Sequence, residues 1–220
     1  MDALASGSRS IAYTYTEPTI FFEYAYETAQ LAKGAGLANI FVTNGYMTPE
    51  MLDTEGFTLD AANVDLKAFR KETYHRYVGA SLDPILENMK HMQANGIWLE
   101  VTTLVIPDLN DEPEELRAAA RFIARELGPL TPWHLSRFFP AYEMTDRPPT
   151  PIRTLERARA IGLEEGLQFV YLGNVGEDTL TRCPQCGEVL LRRRGYQVLE
   201  NGLRAGICPH CSVEVAGVWS

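Results

Sequence analysis

The 220 residues, 45 % hydrophobic, 22 % charged and 10 % aromatic, have the make-up of a folded globular chain and exclude disorder, collagen-like repeats and a coiled coil. Twenty basic against 29 acidic side chains leave a formal charge of −9, which repels phosphates and disfavours a nucleic-acid or anionic-membrane footprint. No apolar run approaches the ~18 residues that span a bilayer, and the opening MDALASGSRS lacks the basic-then-apolar order of a signal peptide, so a cytoplasmic protein with no membrane partner is expected.

Along the chain, short β-branched or aromatic runs alternate with longer amphipathic ones. Ile11–Tyr15 reads as a strand and Thr19–Ala35 as a helix that ends at Gly34 and Gly36, where glycine tolerates a left-handed cap. Asn39–Thr43 is the next strand, followed by a short helix with Thr48 as N-cap and Pro49 at its first position. Asn63–Leu66 is strand-like, and Asp83-Pro84 opens a helix to about Asn95. Ile97–Val105 is the clearest strand, and Asp111 is placed to cap a helix over Glu112–Leu127 that closes at Gly128. Strand Trp133–Phe138, a proline-rich connection, helix Thr154–Glu165 and strand Gln168–Leu172 complete the series.

Strands separated by helices at this spacing predict an α/β fold built on a parallel sheet, doubly wound or curled into a (β/α) barrel. Chemistry in such folds gathers at the carboxyl ends of the strands. Polar clusters fall there: Thr14–Glu17, Thr43–Gly45, Asp65–Lys67, and Glu100 with Thr102–Thr103.

Composition changes near residue 180. Residues 181–220 carry five Arg against three Glu, a local +2 within a chain of −9, and hold all four cysteines, as Cys183-Pro-Gln-Cys186 and Cys208-Pro-His-Cys211. Two Cys-x2-Cys turns separated by 21 residues form a metal-ligand pattern. Four thiolates suit tetrahedral zinc, with iron in a rubredoxin-like site as the alternative. A cytosolic setting argues against disulfides. The intervening run, broken at Gly195 and Asn201-Gly202, has the hairpin character of a small zinc ribbon. Two domains are therefore expected: 1–180, an α/β body, and 181–220, the ribbon, in which Arg192–Arg194 form a charged turn face.

Alternation along strands pairs the polar residues. Asp65 and Lys67 share a face, as do Glu100 and Thr102, and His134 and Ser136. Glu17, just past a strand, is placed either to cap a helix or to hold an ammonium group or a hydroxyl. Thr43-Asn44-Gly45 is a small hydrogen-bonding turn that lets a ligand approach the backbone. Asp65 and Lys67 would hold a zwitterion or each other.

Taken in order, TYTEPT, VTNGY, VDLKAF followed by YVGAS, EVTTLVIPDLND and WHLSRFFPAY resemble the radical S-adenosylmethionine (SAM) enzymes related to glycyl-radical-enzyme activases, and more narrowly the radical enzyme of the AmmeMemoRadiSam system. The likeness covers residues 9–180. It implies SAM bound at a barrel mouth against a [4Fe–4S] cluster, one-electron cleavage to a 5′-deoxyadenosyl radical, and hydrogen abstraction from a substrate. By the same resemblance Glu17 meets the cofactor's amino group and Thr43 and Asn44 lie along it. Asp65 and Lys67 stand near its methionyl end, Glu100 and Thr102 face its ribose, Val105 and Ile106 surround the adenine, and His134 is a further contact. A Memo-type protein is the partner it suggests.

One departure stands out. The family holds its cluster on a Cys-x3-Cys-x2-Cys loop after the first barrel strand, and no such loop occurs in these 220 residues. Ile11–Glu17 matches the family's second strand. The expected fold is thus a partial (β/α) barrel missing its first βα unit, plus the carboxyl-terminal zinc ribbon. The favoured explanation is a truncated form of a longer parent. A descendant that binds a nucleotide-like ligand without making radicals, and a half complemented by a separate chain, are the others. The ribbon cysteines preorganise a mononuclear site, so these residues alone are expected to assemble no cluster and to show no radical activity. Two other readings are a Schiff-base, aldolase-type enzyme that uses Lys67 and a non-catalytic zinc-ribbon adaptor that docks through Arg192–Arg194.

Overall fold

The computed structural model describes residues 2–54 and 57–219. Two compact units divide the chain, Met1–Thr103 and Leu104–Ser220. Along it lie helix α1 (Asp2–Ala5), β1 (Ser10–Tyr13), a 3-10 turn (Pro18–Phe21), α2 (Phe22–Gly34), β2 (Ala38–Thr43), α3 (Pro49–Leu52), β3 (Ala61–Asp65), α4 (Lys71–Thr73), α5 (Leu82–Ala94) and β4 (Trp98–Val105). Then follow α6 (Pro113–Phe122), β5 (Trp133–Arg137), α7 (Ile152–Glu164), β6 (Val170–Gly173), β7 (Thr179–Arg182), β8 (Val189–Arg194) and β9 (Gln197–Asn201).

In the first unit β1, β2, β3 and β4 neighbour one another in sequence order, all parallel. Alternation decides which side is dry. Phe41, Ala62 and Leu99 stand side by side in register, as do Thr43, Val64 and Val101, and all six are buried. Asn63, Asp65, Glu100 and Thr102 point to the other face and are only half-buried. Tyr13, Phe41, Phe57, Phe22 and Tyr26 pack as a chain of tilted and edge-on rings. Buried Asn39 ties this layer together: its side chain accepts from Tyr13 Oη at 3.0 Å and donates to Ala29 O at 3.1 Å.

In the second unit β5 and β6 are parallel, with His134 beside Tyr171 and Ser136 beside Gly173. Trp133 and Leu135 point inward and are fully buried. Helices α6 and α7 are joined by Arg117 and Arg121, which donate to Glu165 at 3.0 Å each. The two guanidinium groups hold the Glu165 carboxyl below its usual range. Strands β7, β8 and β9 form a separate antiparallel sheet.

The expected α/β class with parallel strands is found. Several local details differ from expectation. Helix α5 starts one residue before Asp83, with Ser81 in the cap position, so that Leu82 is buried; Asp83 instead pairs with Lys71 at 2.6 Å. Helix α6 has Glu112 at its cap and Pro113 at its first position. Asp111 is drawn into the preceding turn, where its Oδ1 accepts from Asp108 N at 2.9 Å. The helical run Lys71–Val78, which ends in a wide π-type turn from Tyr74, was not expected, because its charged and aromatic mixture carries no regular apolar period.

Candidate functional site

Glu17 follows β1 and caps the 3-10 turn, where its Oε1 accepts from Thr19 N at 3.4 Å. The same oxygen accepts from Thr43 Oγ1 at 2.6 Å, and Oε2 accepts from Asn44 N at 2.7 Å. The carboxylate, 7 % exposed, therefore binds the tip of β1 to the tip of β2 by charge-assisted hydrogen bonds, the stronger kind. A carboxylate offers about four lone-pair positions, so Oε2 keeps capacity for one further donor.

The turn after β2 is fixed from several sides. Thr43 Oγ1 also accepts from Gly45 N at 3.1 Å, and Asn44 Oδ1 accepts from Tyr46 N at 2.8 Å. Asn88 of α5, buried, donates to Gly45 O at 2.9 Å and Met47 O at 2.6 Å. Gly45 sits at φ +72°, and a Cβ there would stand 2.8 Å from Val64 Cγ1. Only glycine suits that close, left-handed position.

At the tip of β3, Lys67 Nζ donates to Asp65 Oδ2 at 2.5 Å, with the two side chains 42 % and 36 % exposed. The backbone N–H of Lys67 donates to Tyr74 Oη at 3.0 Å. Tyr74 is wholly buried. Burial pushes its hydroxyl up to about 12, against the opposing pull of the Lys67 N–H and with the aid of the Asp65 charge. On β4, Thr102 Oγ1 donates to Asn63 Oδ1 at 2.8 Å and Glu100 Oε1 accepts from Trp98 Nε1 at 3.1 Å.

The sites expected in the first unit thus divide by face. Thr43 lies buried on the covered side with Glu17 as its acceptor. Asp65, Glu100 and Thr102 share the opposite, half-exposed face. Asn44 and Lys67 line one cavity of about 250 Å³ with Tyr46, Tyr74, Gly79 and Ile85. Sequence reasoning missed Tyr74, Asn88 and Asn63. Val78, Gly79 and Ala80 of the YVGAS motif also line that cavity, and neither a lone buried Asn nor a Tyr carries a signal in a single sequence.

His134, in the second unit, stacks on Tyr171 with ring centroids 5.3 Å apart. Ser136 lies on the same face, against Gly173, where a Cβ would meet its Oγ at 2.8 Å.

The four cysteines converge in this unit as a candidate metal centre. Their sulfurs lie within 4.8 Å of one another, with Cys183 and Cys211 3.5 Å apart and Cys186 and Cys208 3.7 Å apart. A tetrahedral ion with sulfurs at ~2.3 Å places them about 3.8 Å apart. Both turns use one backbone pattern. Gly187 N donates to Cys183 O and Ser212 N to Cys208 O, each at 2.9 Å, and Cys183 and Cys208 donate onward to Glu188 O and Val213 O. Burial raises the Cys183 thiol, but N–H groups of Cys186 and Gln185 and the neighbouring thiols outweigh it and bring it to about 6, whereas Cys186 and Cys211, against the pull of the Glu188 and Val213 N–H groups, are raised by burial and by neighbouring thiols. These sulfurs thus titrate as one set in which a negative charge on Cys183 is favoured first.

A parallel α/β unit with a polar turn cluster at its strand tips, followed in chain order by a four-thiolate centre, defines the class. Residues 1–120 match the Radical SAM superfamily, and the chain belongs to that superfamily. It is 46 % identical over 187 residues to the uncharacterized protein MJ0808 of Methanocaldococcus jannaschii, a match over 83 % of this chain and 55 % of that protein. The chain therefore spans about half the length of that relative. Its fold is similar to a domain of the pyruvate-formate lyase-activating enzyme of Bacteroides vulgatus, with TM-score 0.63, 16 % identity, and coverage of 75 % of this chain and 99 % of that one. It is also similar to Streptococcus suis SuiB bound to SAM, with TM-score 0.62, 12 % identity, and coverage of 78 % and 41 %.

Membership implies SAM and an iron–sulfur cluster as cofactors. The cysteines present do not fit the cluster. All four lie in the tail with sulfurs within 4.8 Å of one another, whereas a cubane spreads its thiolates over its outer corners, well beyond that separation. The spacing fits one mononuclear ion. Among the described residues no helix is long and apolar enough to cross a membrane.

Proposed function

We propose that this chain is the SAM-binding part of a radical SAM enzyme of the AmmeMemoRadiSam type, with the cluster thiolates supplied by a Cys-x3-Cys-x2-Cys segment outside these 220 residues. The observation that carries the reading is the single hydrogen-bonded turn at the tips of β1 and β2, whose Asn44 shares a cavity of about 250 Å³ with Lys67, just past β3. In this reading Glu17 Oε2 and the Asp65–Lys67 pair receive the two charges of an amino acid headgroup. Glu17 and Thr43 hold Asn44 at a fixed place along the ligand, and Glu100 and Thr102 offer acceptor oxygens to the hydroxyls of a ribose, the Thr102 O–H being engaged by Asn63. The sulfonium of bound SAM would contribute a carbon–sulfur bond that one-electron reduction cleaves, and the protein's share is to orient it and to exclude water.

Zinc is the ion this reading assigns to the four cysteines, in a ribbon formed by residues 181–220 appended to the 1–180 body; its closed thiolate set suits a structural role. A Memo-type protein remains the proposed partner. The Schiff-base alternative is weakened by the Lys67–Asp65 ion pair at 2.5 Å, because an ion-paired ammonium has no lone pair with which to attack a carbonyl. The adaptor alternative is weakened because Arg192 pairs with Glu200 at 3.5 Å, Arg194 with Asp178 at 2.7 Å, and Arg193 with Thr181 at 3.1 Å. Arginines so engaged offer little to phosphates.

Equilibrium dialysis with labelled SAM tests the proposal. Saturable binding at one site per chain, weakened about tenfold or more in Asp65→Asn and Lys67→Met, supports it. Absence of saturable binding, or binding indifferent to both changes, would refute it.

A further inference from the structure

His134, Tyr171 and Arg193 form a continuous stack. The His134 and Tyr171 rings lie 5.3 Å apart and tilted by 31°, and the Arg193 guanidinium lies over the Tyr171 ring, 5.0 Å from its centroid. Thr181 of β7 locks the stack: its Oγ1 accepts from Arg193 Nη2 at 3.1 Å and shares a hydrogen bond of 3.0 Å with Tyr171 Oη. Thr181 is buried and stands two residues before the metal-ligand position Cys183. Tyr171 also packs against the small core made by Phe169, Cys183, Leu190, Cys208 and Val215, which contains two of the four thiols. The aromatic partner of His134 therefore rests on the ribbon core itself, by packing against it and through the Arg193–Thr181 contacts.

We infer that Tyr171 and Arg193 are positioning residues for His134, and that the ion at the four cysteines sets their position. Without it, the Cys183 turn and the Cys208 turn are held together by the small shared core, a long His210–Glu188 contact of 3.9 Å and sulfur–sulfur contacts, which are weak beside the metal–thiolate bonds that supply most of the folding energy of such small centres. Loss of the ion loosens the core under Tyr171, frees Thr181 from its register, and releases His134 from the stack. The cation–π and hydrogen-bond contacts in the chain are individually modest, so the imidazole is biased toward one orientation by ion loading and is not rigidly fixed. His134 matters to the ligand only through the assignment proposed above, and to that extent the inference rests on it.

The four histidines, His75, His91, His134 and His210, make the test direct, because the imidazole resonances of the full chain are few. His210 lies within the second knuckle and reports ion loss; His75 and His91 belong to the first unit and serve as controls. Spectra of zinc-loaded protein before and after EDTA are expected to show His210 and His134 shifting together while the controls stay. Zinc-bound Arg193→Gln should shift His134 with His210 unmoved, and Arg193→Lys, which keeps a cation near the ring, should restore most of the wild-type position. A His134 signal that stays put in zinc-bound Arg193→Gln, or that ignores EDTA while His210 moves, would overturn the inference. SAM affinity on the same samples answers a separate question: a shifted His134 with unchanged affinity upholds the positioning and removes His134 from the ligand site.

Discussion

Glu17 Oε1 and Oε2 accept from a hydroxyl and an amide of the neighbouring strand tip at 2.6 and 2.7 Å. In Glu17→Gln one oxygen becomes an NH2 group that must face one of those donors. Such a mismatch in a buried place costs about 1–3 kcal/mol, which urea unfolding should register as a lower midpoint with an unchanged slope. Gly45 is the second residue on which the turn depends. Ala there would take φ +72° and bring its Cβ to 2.8 Å from Val64 Cγ1 and 3.1 Å from Ile85 Cγ2, so Gly45→Ala is expected to lower stability by about 1–3 kcal/mol. Calorimetry that finds no change in Tm for Gly45→Ala would contradict the described turn. At this scale the placement of Glu17, Asn44, Asp65 and Lys67 at strand tips was legible, because charged and amide groups there are out of place in a core. That Thr43 is buried was not legible, since a threonine at the last position of a strand reads alike on either face.

At the scale of an element, the tip of β3 is held by a hydroxyl from the helical segment that follows α4. Tyr74 accepts from Lys67 N at 3.0 Å and titrates near 12 instead of 10.0 in the folded chain, chiefly because it is buried. A folded-state value above the unfolded one means the native chain keeps its proton longer. Stability from this group is complete below about pH 10 and declines as pH rises toward 12, by about 2–3 kcal/mol in all. Urea unfolding of the wild type between pH 9 and 11 should therefore show a fall that Tyr74→Phe lessens, while Tyr74→Phe is already weaker at pH 8 because the Lys67 N–H loses its acceptor. Equal slopes in the two proteins would place the alkaline sensitivity elsewhere. Strands β2, β4 and β5 were legible from β-branched and aromatic runs, and α2, α5 and α6 from their apolar period and closing glycines or asparagines. The Lys71–Val78 run escaped, as did the cap positions of α5 and α6. There, Leu82 gains more by burial than Asp83 would by capping, and a tight turn takes Asp111.

The chain as a whole carries a four-cysteine cluster in its tail and a polar turn at its first strand tips. The four thiolates predict one ion per chain, and cobalt substitution should give the charge-transfer and visible bands of a tetrahedral thiolate site. Cys186→Ser should lower the ion content well below one per chain, and retention of a full equivalent would remove Cys186 from the ligand set. Reconstitution with iron and sulfide should yield no reducible four-iron cluster on these 220 residues, because the sulfur spacing suits a single ion; a cluster signal by electron paramagnetic resonance would contradict that. The superfamily was legible in the sequence because motifs in a fixed order across many strands are far more specific than any one of them. What the tail does for His134 was not legible, since the pairing of Tyr171, Thr181 and Arg193 depends on how separate strands meet.

Mapping SAM onto the assigned backbone amides by NMR tests the central claim most directly. The account predicts that saturating SAM perturbs the amides of Asn44, Gly45, Tyr46 and Lys67 together, with one dissociation constant fitting all four. Perturbations confined to other surfaces, or four signals that remain in place at saturating ligand, would contradict it.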